Sequence, residues 1–313
     1  MPSADNANGI AGTVPPSQLP QVACVVTAFH PSPQIVDNVR ALLAQSGSVV
    51  VVDDGGGPGF ESVFERVAAA GAIVISLPEN SGIAAALNSG IRKAREDSRV
   101  RYIITVDQDS LLPQGYVKSL LAGERSARAR GLVPGLISPA RIHGNPVMSR
   151  GSHNGIALAK EPIQSGLMIT TDALSDLGDF REELFIDLVD TEYYLRATDA
   201  GWPTVLADAE FDHSLGTFVE ARIGGQSIRL GGQPLKVRIA ASWRYYYIFR
   251  NRLLVSRNYA RRHPAWVTAG CFADLRHLAI VTMLAPGRRA RLTAALAGVK
   301  DGLRGLTGKK PGT

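Results

Sequence analysis

Asp107-Gln108-Asp109 sets two carboxylates at an i, i+2 spacing directly after the apolar run Tyr102 to Val106. Carboxylates so placed can converge on one hard divalent cation, which prefers oxygen ligands and can also hold a diphosphate. Two solvated turn aspartates before Leu111-Leu112-Pro113 would be spelled the same way, so position in the fold must decide. Asp53-Asp54 closes another apolar run. A carboxylate there can accept from a pyrimidine N3–H or from ribose hydroxyls, or it can cap the turn into the glycines that follow. Those glycines, Gly55 to Gly59, lack the GxGxxG spacing of a dinucleotide fingerprint. Asn80-Ser81-Gly82 opens a helical pattern. Ser81 or Asn80 suits an N-cap, and small residues at a helix N-terminus admit close approach of a ligand, so Asn80 and Gly82 are binding candidates.

A second group of acids lies further on, with Asp187, Asp190 and Glu192 followed by Arg196. On a helix, Glu192 and Arg196 pair at i, i+4, which assigns Glu192 a structural task. Asp190 points elsewhere and is free to act as a base. Asp187, three residues earlier, lies near the same face and is its rival. His213 follows the strand-like stretch Thr204 to Leu206. A lone histidine is more often structural, but one near paired aspartates can be a third metal ligand.

Four apolar, β-branched runs carry these residues: Val22 to Thr27, Val49 to Val52, Ala72 to Leu77 and Tyr102 to Val106. Runs of this length between turn residues predict strands buried on both faces. Between them Ile35, Val39, Leu42 and Leu43 share a helix face, as do Phe60, Val63, Phe64 and Val67, and then Ile83, Ala86, Leu87, Ile91 and Ala94. The alternation predicts right-handed βαβ units on a parallel sheet. Ligands bind beyond the carboxyl ends of such strands, where Thr27, Asp53-Asp54 and Asp107-Gln108-Asp109 all stand.

The 313 residues suit one large α/β domain, alone or with a helical extension, and with 45% apolar and 20% charged residues a sizeable core is expected. Cys24 and Cys271 lie far apart in apolar surroundings and predict buried thiols in a reducing compartment. Residues 1–20 are expected to form a disordered leader, since they lack the basic start and apolar stretch of a signal peptide. No window is expected to hold the roughly eighteen or more apolar residues of a spanning helix, and the longest candidate, Leu278 to Leu284, is far too short. Residues 21–235 are expected to be the catalytic domain and 236–313 a helical extension, with basic amphipathic helices over Leu275 to Leu284 and Arg288 to Leu306 broken at Pro286-Gly287. From Lys236 to Thr313, sixteen Lys and Arg face two acids, Asp274 and Asp301, a net of +14 against −8 for the rest. Such a tail suits an anionic partner: lipid, nucleic acid or a phosphorylated substrate.

Taken together, VVTAFHP (25–31), VVDDGG (51–56), PENSGIAAALNSGI (78–91), TVDQDS (105–110), ELFIDLVDTEYYLRA (183–197), FDHSLG (211–216) and YYYIFRNRLLVSR (245–257) resemble the GT-A glycosyltransferases of family 2, and within them the bacterial rhamnosyltransferases. The likeness runs from about Val22 to Gly308. It implies an α/β GT-A fold, a mostly parallel central sheet flanked by helices, with a basic C-terminal helical extension. It also implies roles: Thr27 and Asp54 on the nucleoside, Asp107 on the ribose or the metal-bound diphosphate, and Asp109 on Mg2+ or Mn2+ with His213 beside it. Gln108 lies between the two acids. Asp190 matches the second acid of the family's Glu-Asp base motif, with Val189 where the Glu usually stands. Arg250-Asn251 matches a further family element, to which the sequence attaches no role.

The reaction so implied is inverting transfer of a sugar, L-rhamnose from dTDP-L-rhamnose, to a glycan or a polyprenyl-diphosphate-linked acceptor in cell-wall or surface polysaccharide synthesis. A galactofuranosyl or other hexosyl transferase using a UDP-sugar is the alternative within the fold. A nucleotidyltransferase would open with a Gly-rich basic loop, where Thr27-Ala28-Phe29-His30-Pro31 stands instead. A basic nucleic-acid-binding module is the alternative of another class, opposed by the acidic body and the lack of a nucleic-acid motif. The expected setting is cytoplasmic, at the inner face of the cell membrane, with the C-terminal region on anionic lipid. A homodimer is left open.

Overall fold

A computed structural model describes residues 19, 21–212 and 216–312. Apart from Leu19, the expected leader lies outside them. The first half runs β1 (Val22–Ala28), α1 (Ile35–Leu43), β2 (Ser48–Asp53), α2 (Glu61–Ala69), β3 (Ile73–Ser76), α3 (Ile83–Ala94) and β4 (Tyr102–Asp107). β1 pairs in parallel with β2 and with β4, and β2 with β3. Side chains alternate across a strand, and here both sides are covered. Val22, Cys24, Val26 and Ala28 join a core with α1 and α2, while Ala23 and Val25 join a second core with α3. Continuous apolar runs follow from this two-sided burial. β3 departs from the expectation: its residues are half-buried or exposed, because it is the edge strand. Phe60 stands just before α2 rather than inside it.

The second half continues with α4 (Tyr116–Ala129), β5 (Leu136–Ile142), β6 (Asn145–Pro146), β7 (Ser149–His153), β8 (Ile156–Ala159), β9 (Leu167–Thr170), α5 (Thr171–Leu177), a 3-10 turn over Glu182–Leu184, α6 (Val189–Asp199) and β10 (Thr204–Phe211). The sheet order is β3-β2-β1-β4-β9-β5-β10-β8-β7, with β6 on β5. β9 is antiparallel to both β4 and β5, whereas β10 is parallel to β5. Inserting β9 beside β4 brings the loop before it against the end of β4: Gly166 N–H donates to Thr105 O (2.7 Å) and Thr105 Oγ1 to Gln164 O (2.5 Å).

Beyond β10 come β11 (Thr217–Glu220), the short β12 (Arg222–Ile223), β13 (Gln226–Ser227), β14 (Arg229–Leu230) and β15 (Gln233–Pro234), then β16 (Lys236–Ile239), α7 (Arg244–Tyr259), α8 (Pro264–Leu284) and α9 (Arg288–Arg304). The division drawn at 235/236 falls between strand partners, since β16 pairs with β11. α7 places Leu254, Val255 and Tyr259 in the second core. α9 crosses α7 at Gly298 and Gly302, where a Cβ would stand 2.2 Å from Tyr246 O and 2.9 Å from Arg250 O.

Two expectations need correction. α8 is long and apolar enough to cross a membrane by length and composition, and it is almost entirely unburied. The sequence criterion missed it by requiring an unbroken run, which Asp274, Arg276 and His277 interrupt. Cys24 is fully buried, and burial pushes its thiol up to about 12, but Cys271 is only half-buried on α8.

Candidate active site

Parallel register brings the strand ends together, pairing Thr27 with Asp107 and Ala28 with Asp53. The Gln108 side chain locks this edge. Its Oε1 accepts from Phe29 N–H (2.8 Å) and its Nε2 donates to Phe29 O (3.2 Å), so its amide is spent on backbone. Asp107 N–H donates to Ser165 Oγ (3.0 Å), and Gln164 Nε2 donates to Asp107 Oδ1.

The start of α3 is not capped as the sequence suggested. Its N-cap is Gly82, without a side-chain cap from Ser81 or Asn80. Asp54 takes that place from β2's end: Oδ1 accepts from Ser81 N–H (2.7 Å) and Oδ2 from Gly82 N–H (3.0 Å). A carboxylate at orphan amides of a helix start is favourable, and a cap supplied from across the sheet leaves no local trace. Burial raises the Asp54 carboxyl to about 6, against the lowering effect of the two N–H groups and Lys309. Lys309 reaches this place from the chain's end, donating to Asn80 O (3.1 Å). Gly82 has φ 92°, and a Cβ there would meet Phe185 O at 2.5 Å, so only glycine suits it.

Phe185 begins the segment that carries the second group of acids. Phe185, Asp187 and Leu188 all have φ between 61° and 64°, positive values in sparsely populated regions that cost on the order of 1–3 kcal/mol each for a non-glycine residue. Arg250 and Asn251, both fully buried, hold it. Asn251 Nδ2 donates to the carbonyls of Leu184 (2.9 Å), Ile186 (2.7 Å) and Asp187 (2.9 Å). Arg250 Nε donates to Asn251 Oδ1 (2.9 Å), fixing the amide's orientation, and its Nη2 donates to Leu184 O (3.0 Å). The element without a role in the sequence is thus the clamp on this turn.

The turn separates the two rival acids. Asp187 is bound by Arg244, through Nη2 to Oδ1 (2.5 Å) and Nε to Oδ2 (3.2 Å). Asp190, in the first turn of α6, accepts from Thr191 N–H at 2.8 Å. It keeps some exposure through the cavity beside it, yet burial raises its carboxyl, with Asp187 adding to the effect. Glu192 pairs with Arg196 (2.8 Å) as expected and also accepts from Tyr259 Oη (3.0 Å).

Two cavities meet at the aspartates. The smaller, about 320 Å³, is bordered by Thr27, Asp54, Asn80, Gly82, Gln108 and Trp243. The larger, about 1010 Å³, is bordered by Gln164, Asp187, Asp190 and Arg244. Asp107 and Asp109 border both. No group of three His, Cys, Asp or Glu converges among the described residues, and His213 lies outside them. The all-oxygen set still fits a hard cation: two carboxylates share the junction, and beside Asp107 the buried Gln164 Oε1 has no hydrogen-bond partner.

Residues 23–138 match the family described as glycosyl transferase family 2. The chain is 27% identical over 249 residues to the dTDP-rhamnosyl transferase RfbF of Shigella flexneri, covering 75% of this chain and 79% of that one. A glycosyltransferase family 2 region thus spans β1 to β4, and the fold of the chain is GT-A. The glycosyltransferase is similar to the mannosyltransferase PcManGT from Pyrobaculum calidifontis, solved with GDP-Man and Mn2+ (TM-score 0.55, 15% identity, 92% of this chain and 88% of that one). It is likewise similar to residues 1–349 of S. aureus TarS, solved with UDP-GlcNAc (TM-score 0.55, 13% identity, 91% and 81%). It spans 40% of the longer S. aureus TarS chain.

The matched region holds β1 to β4 and both aspartates of the 107–109 motif, but not Asp190 or its clamp. Sequence reasoning passed over Gln164, Ser165, Arg244 and Lys309 in this glycosyltransferase. Each reaches the site from an element distant in the chain, and none stands in a motif with a readable spacing.

Proposed function

We propose that this glycosyltransferase moves L-rhamnose from dTDP-L-rhamnose, with inversion, onto a hydroxyl of a glycan or lipid-linked acceptor. One observation carries the reading: Asp107 and Asp109 stand where a nucleoside-sized cavity opens into a larger one, and Asp190 borders the larger one.

In this scheme the base and ribose lie in the smaller cavity against Thr27, Asp54 and the Asn80–Gly82 turn. Asp107 and Asp109 would hold Mg2+ or Mn2+ there, which supplies neutralisation of charge on the departing diphosphate. Asp190 accepts the proton of the acceptor hydroxyl as that oxygen attacks the anomeric carbon and the bond from that carbon to the diphosphate breaks. Its raised pKa suits a base that must hold a proton briefly. Arg244, bound to Asp187 and close enough to feel Asp107 and Asp190, fixes the wall between donor and acceptor. The likeness to RfbF supports the choice of rhamnose. The exposed apolar residues of α8, among them Phe272, Leu275 and Met283, support work at the inner face of a membrane.

A thermal-shift panel of nucleotide sugars with Mn2+ tests the reading. Selective stabilisation by dTDP-L-rhamnose is expected. Stabilisation by UDP-sugars alone would replace the donor with another hexose, and no stabilisation by any nucleotide sugar would overturn it.

A further inference from the structure

The lining of the larger cavity is chemically mixed: Asp107, Asp109 and Asp190 are joined there by Arg238 of β16 and by Arg276 and His277 of α8. Two further acids of this lining, Asp187 and Asp274, are already neutralised. Asp274 is bound by Arg252 at 2.7 Å, and Asp187 by Arg244. Neither the Arg238 nor the Arg276 side chain has an ion pair or hydrogen bond among the described residues. Arg276 only lies over the Phe272 ring, 6.0 Å from its centre. His277 shares its Nε2 with Tyr245 Oη (3.1 Å) and stacks on that ring. Burial lowers its pKa and Arg238 lowers it further, with Asp274 and Arg291 acting in opposite senses, so Arg238 is close enough for its charge to be felt at the ring.

Both guanidinium groups line one cavity without a polar side-chain partner, and a bound anion would give them one. Guanidinium groups match phosphate oxygens in geometry as well as charge. The place matters too, since these three residues line the cavity that Asp190 borders and not the smaller one.

We propose that Arg238, Arg276 and His277 form a subsite for a phosphate or diphosphate group carried by the acceptor. The subsite rests on the glycosyltransferase reading above and deepens it: the acceptor is a phosphorylated molecule, held by its phosphate while its hydroxyl meets Asp190. A lipid-linked phosphate and a soluble sugar phosphate share this chemistry.

The test uses the full chain with saturating dTDP, so that the donor cavity is filled. Inorganic phosphate, glucose 1-phosphate, farnesyl phosphate and farnesol are titrated by calorimetry into the wild type, an Arg238→Gln/Arg276→Gln double variant and the single variant Arg276→Gln. Both arginines are exposed, so an unchanged melting temperature is expected. A phosphate-bearing probe should bind the wild type and lose about tenfold or more in affinity in the double variant, as removal of charge-assisted contacts implies, while dTDP affinity stays within about twofold. Tighter binding of farnesyl phosphate than of glucose 1-phosphate would identify a lipid-linked acceptor, and the reverse a soluble one. Equal affinities in wild type and variants, no phosphate binding to the wild type, or farnesol binding as well as farnesyl phosphate would overturn the subsite. Should the double variant not fold, the single variant decides by the same comparison. Failure of dTDP to bind any of these proteins would instead count against the donor reading, and the phosphate titrations without dTDP would still decide the subsite.

Discussion

Arg244 closes on Asp187 from two nitrogens, at 2.5 and 3.2 Å. The carboxylate that could rival Asp190 is thereby committed to an ion pair inside the protein. Breaking such a pair leaves a charge uncompensated, so Asp187 is poorly placed to exchange protons, and Asp190 is the better base.

Asp190→Asn should therefore lower turnover by ~10²–10⁴ while dTDP-sugar affinity stays near the wild-type value. Steady-state kinetics beside a donor titration would show the split. Near-normal turnover in this variant would remove Asp190 from the role of base.

Asp109→Ala should abolish the gain in donor affinity that Mn2+ gives the wild type, because one of two carboxylates at the cavity junction is lost. Donor titrations with and without Mn2+ measure this. Equal affinities in both proteins would mean that the metal does not sit there.

Asn251→Ala removes the amide that serves three carbonyls of a left-handed turn. The expected loss is about 2–4 kcal/mol of stability, as unpaired buried carbonyls imply, read from urea unfolding. Asn251→Asp should be no better, since an ionised carboxylate cannot donate to carbonyls. A stability change near zero would mean that the turn holds its shape without this clamp.

Asp54 gives the protein a pH signature. Its folded pKa, about 6, lies above its ordinary 3.8. Between those values the folded chain holds a proton that the unfolded chain has lost. Its contribution to stability is therefore full below the ordinary value and disappears as pH rises through about 6. Melting temperatures from pH 4 to 7.5 should fall with pH in the wild type relative to Asp54→Asn, which stays neutral throughout. Nucleotide affinity should run the opposite way, weakening below about pH 6 as the acceptor carboxylate becomes protonated. Parallel pH profiles of the two proteins would contradict both statements.

The exposed apolar face of α8 and the basic tail should carry the full chain to the top of a gradient with anionic vesicles at low salt. Phe272→Ser/Met283→Ser should reduce flotation. A wild-type protein that stays at the bottom would overturn the membrane-surface setting.

The sequence by itself determined the parallel half of the sheet. Two-sided burial requires unbroken apolar runs, and the strands of β1, β2 and β4 are spelled that way. It also located Asp54 and Asp107-Gln108-Asp109 at strand ends, and paired Glu192 with Arg196, because both follow from local periodicity. Only the tertiary structure decided what those residues touch. Asp54 caps a helix 27 positions away, Gln108 is consumed by Phe29, and Arg250-Asn251 holds a turn more than 60 residues earlier. Antiparallel β9 brings Gln164 and Ser165 to Asp107. These contacts join segments whose separation in the chain carries no periodic signal, and their partners are often backbone groups that any residue would supply. Asp107 and Asp109 could thus be read as candidates from their spacing, but their position on two cavities at once, with Asp190 bordering the larger one, is a property of the folded chain.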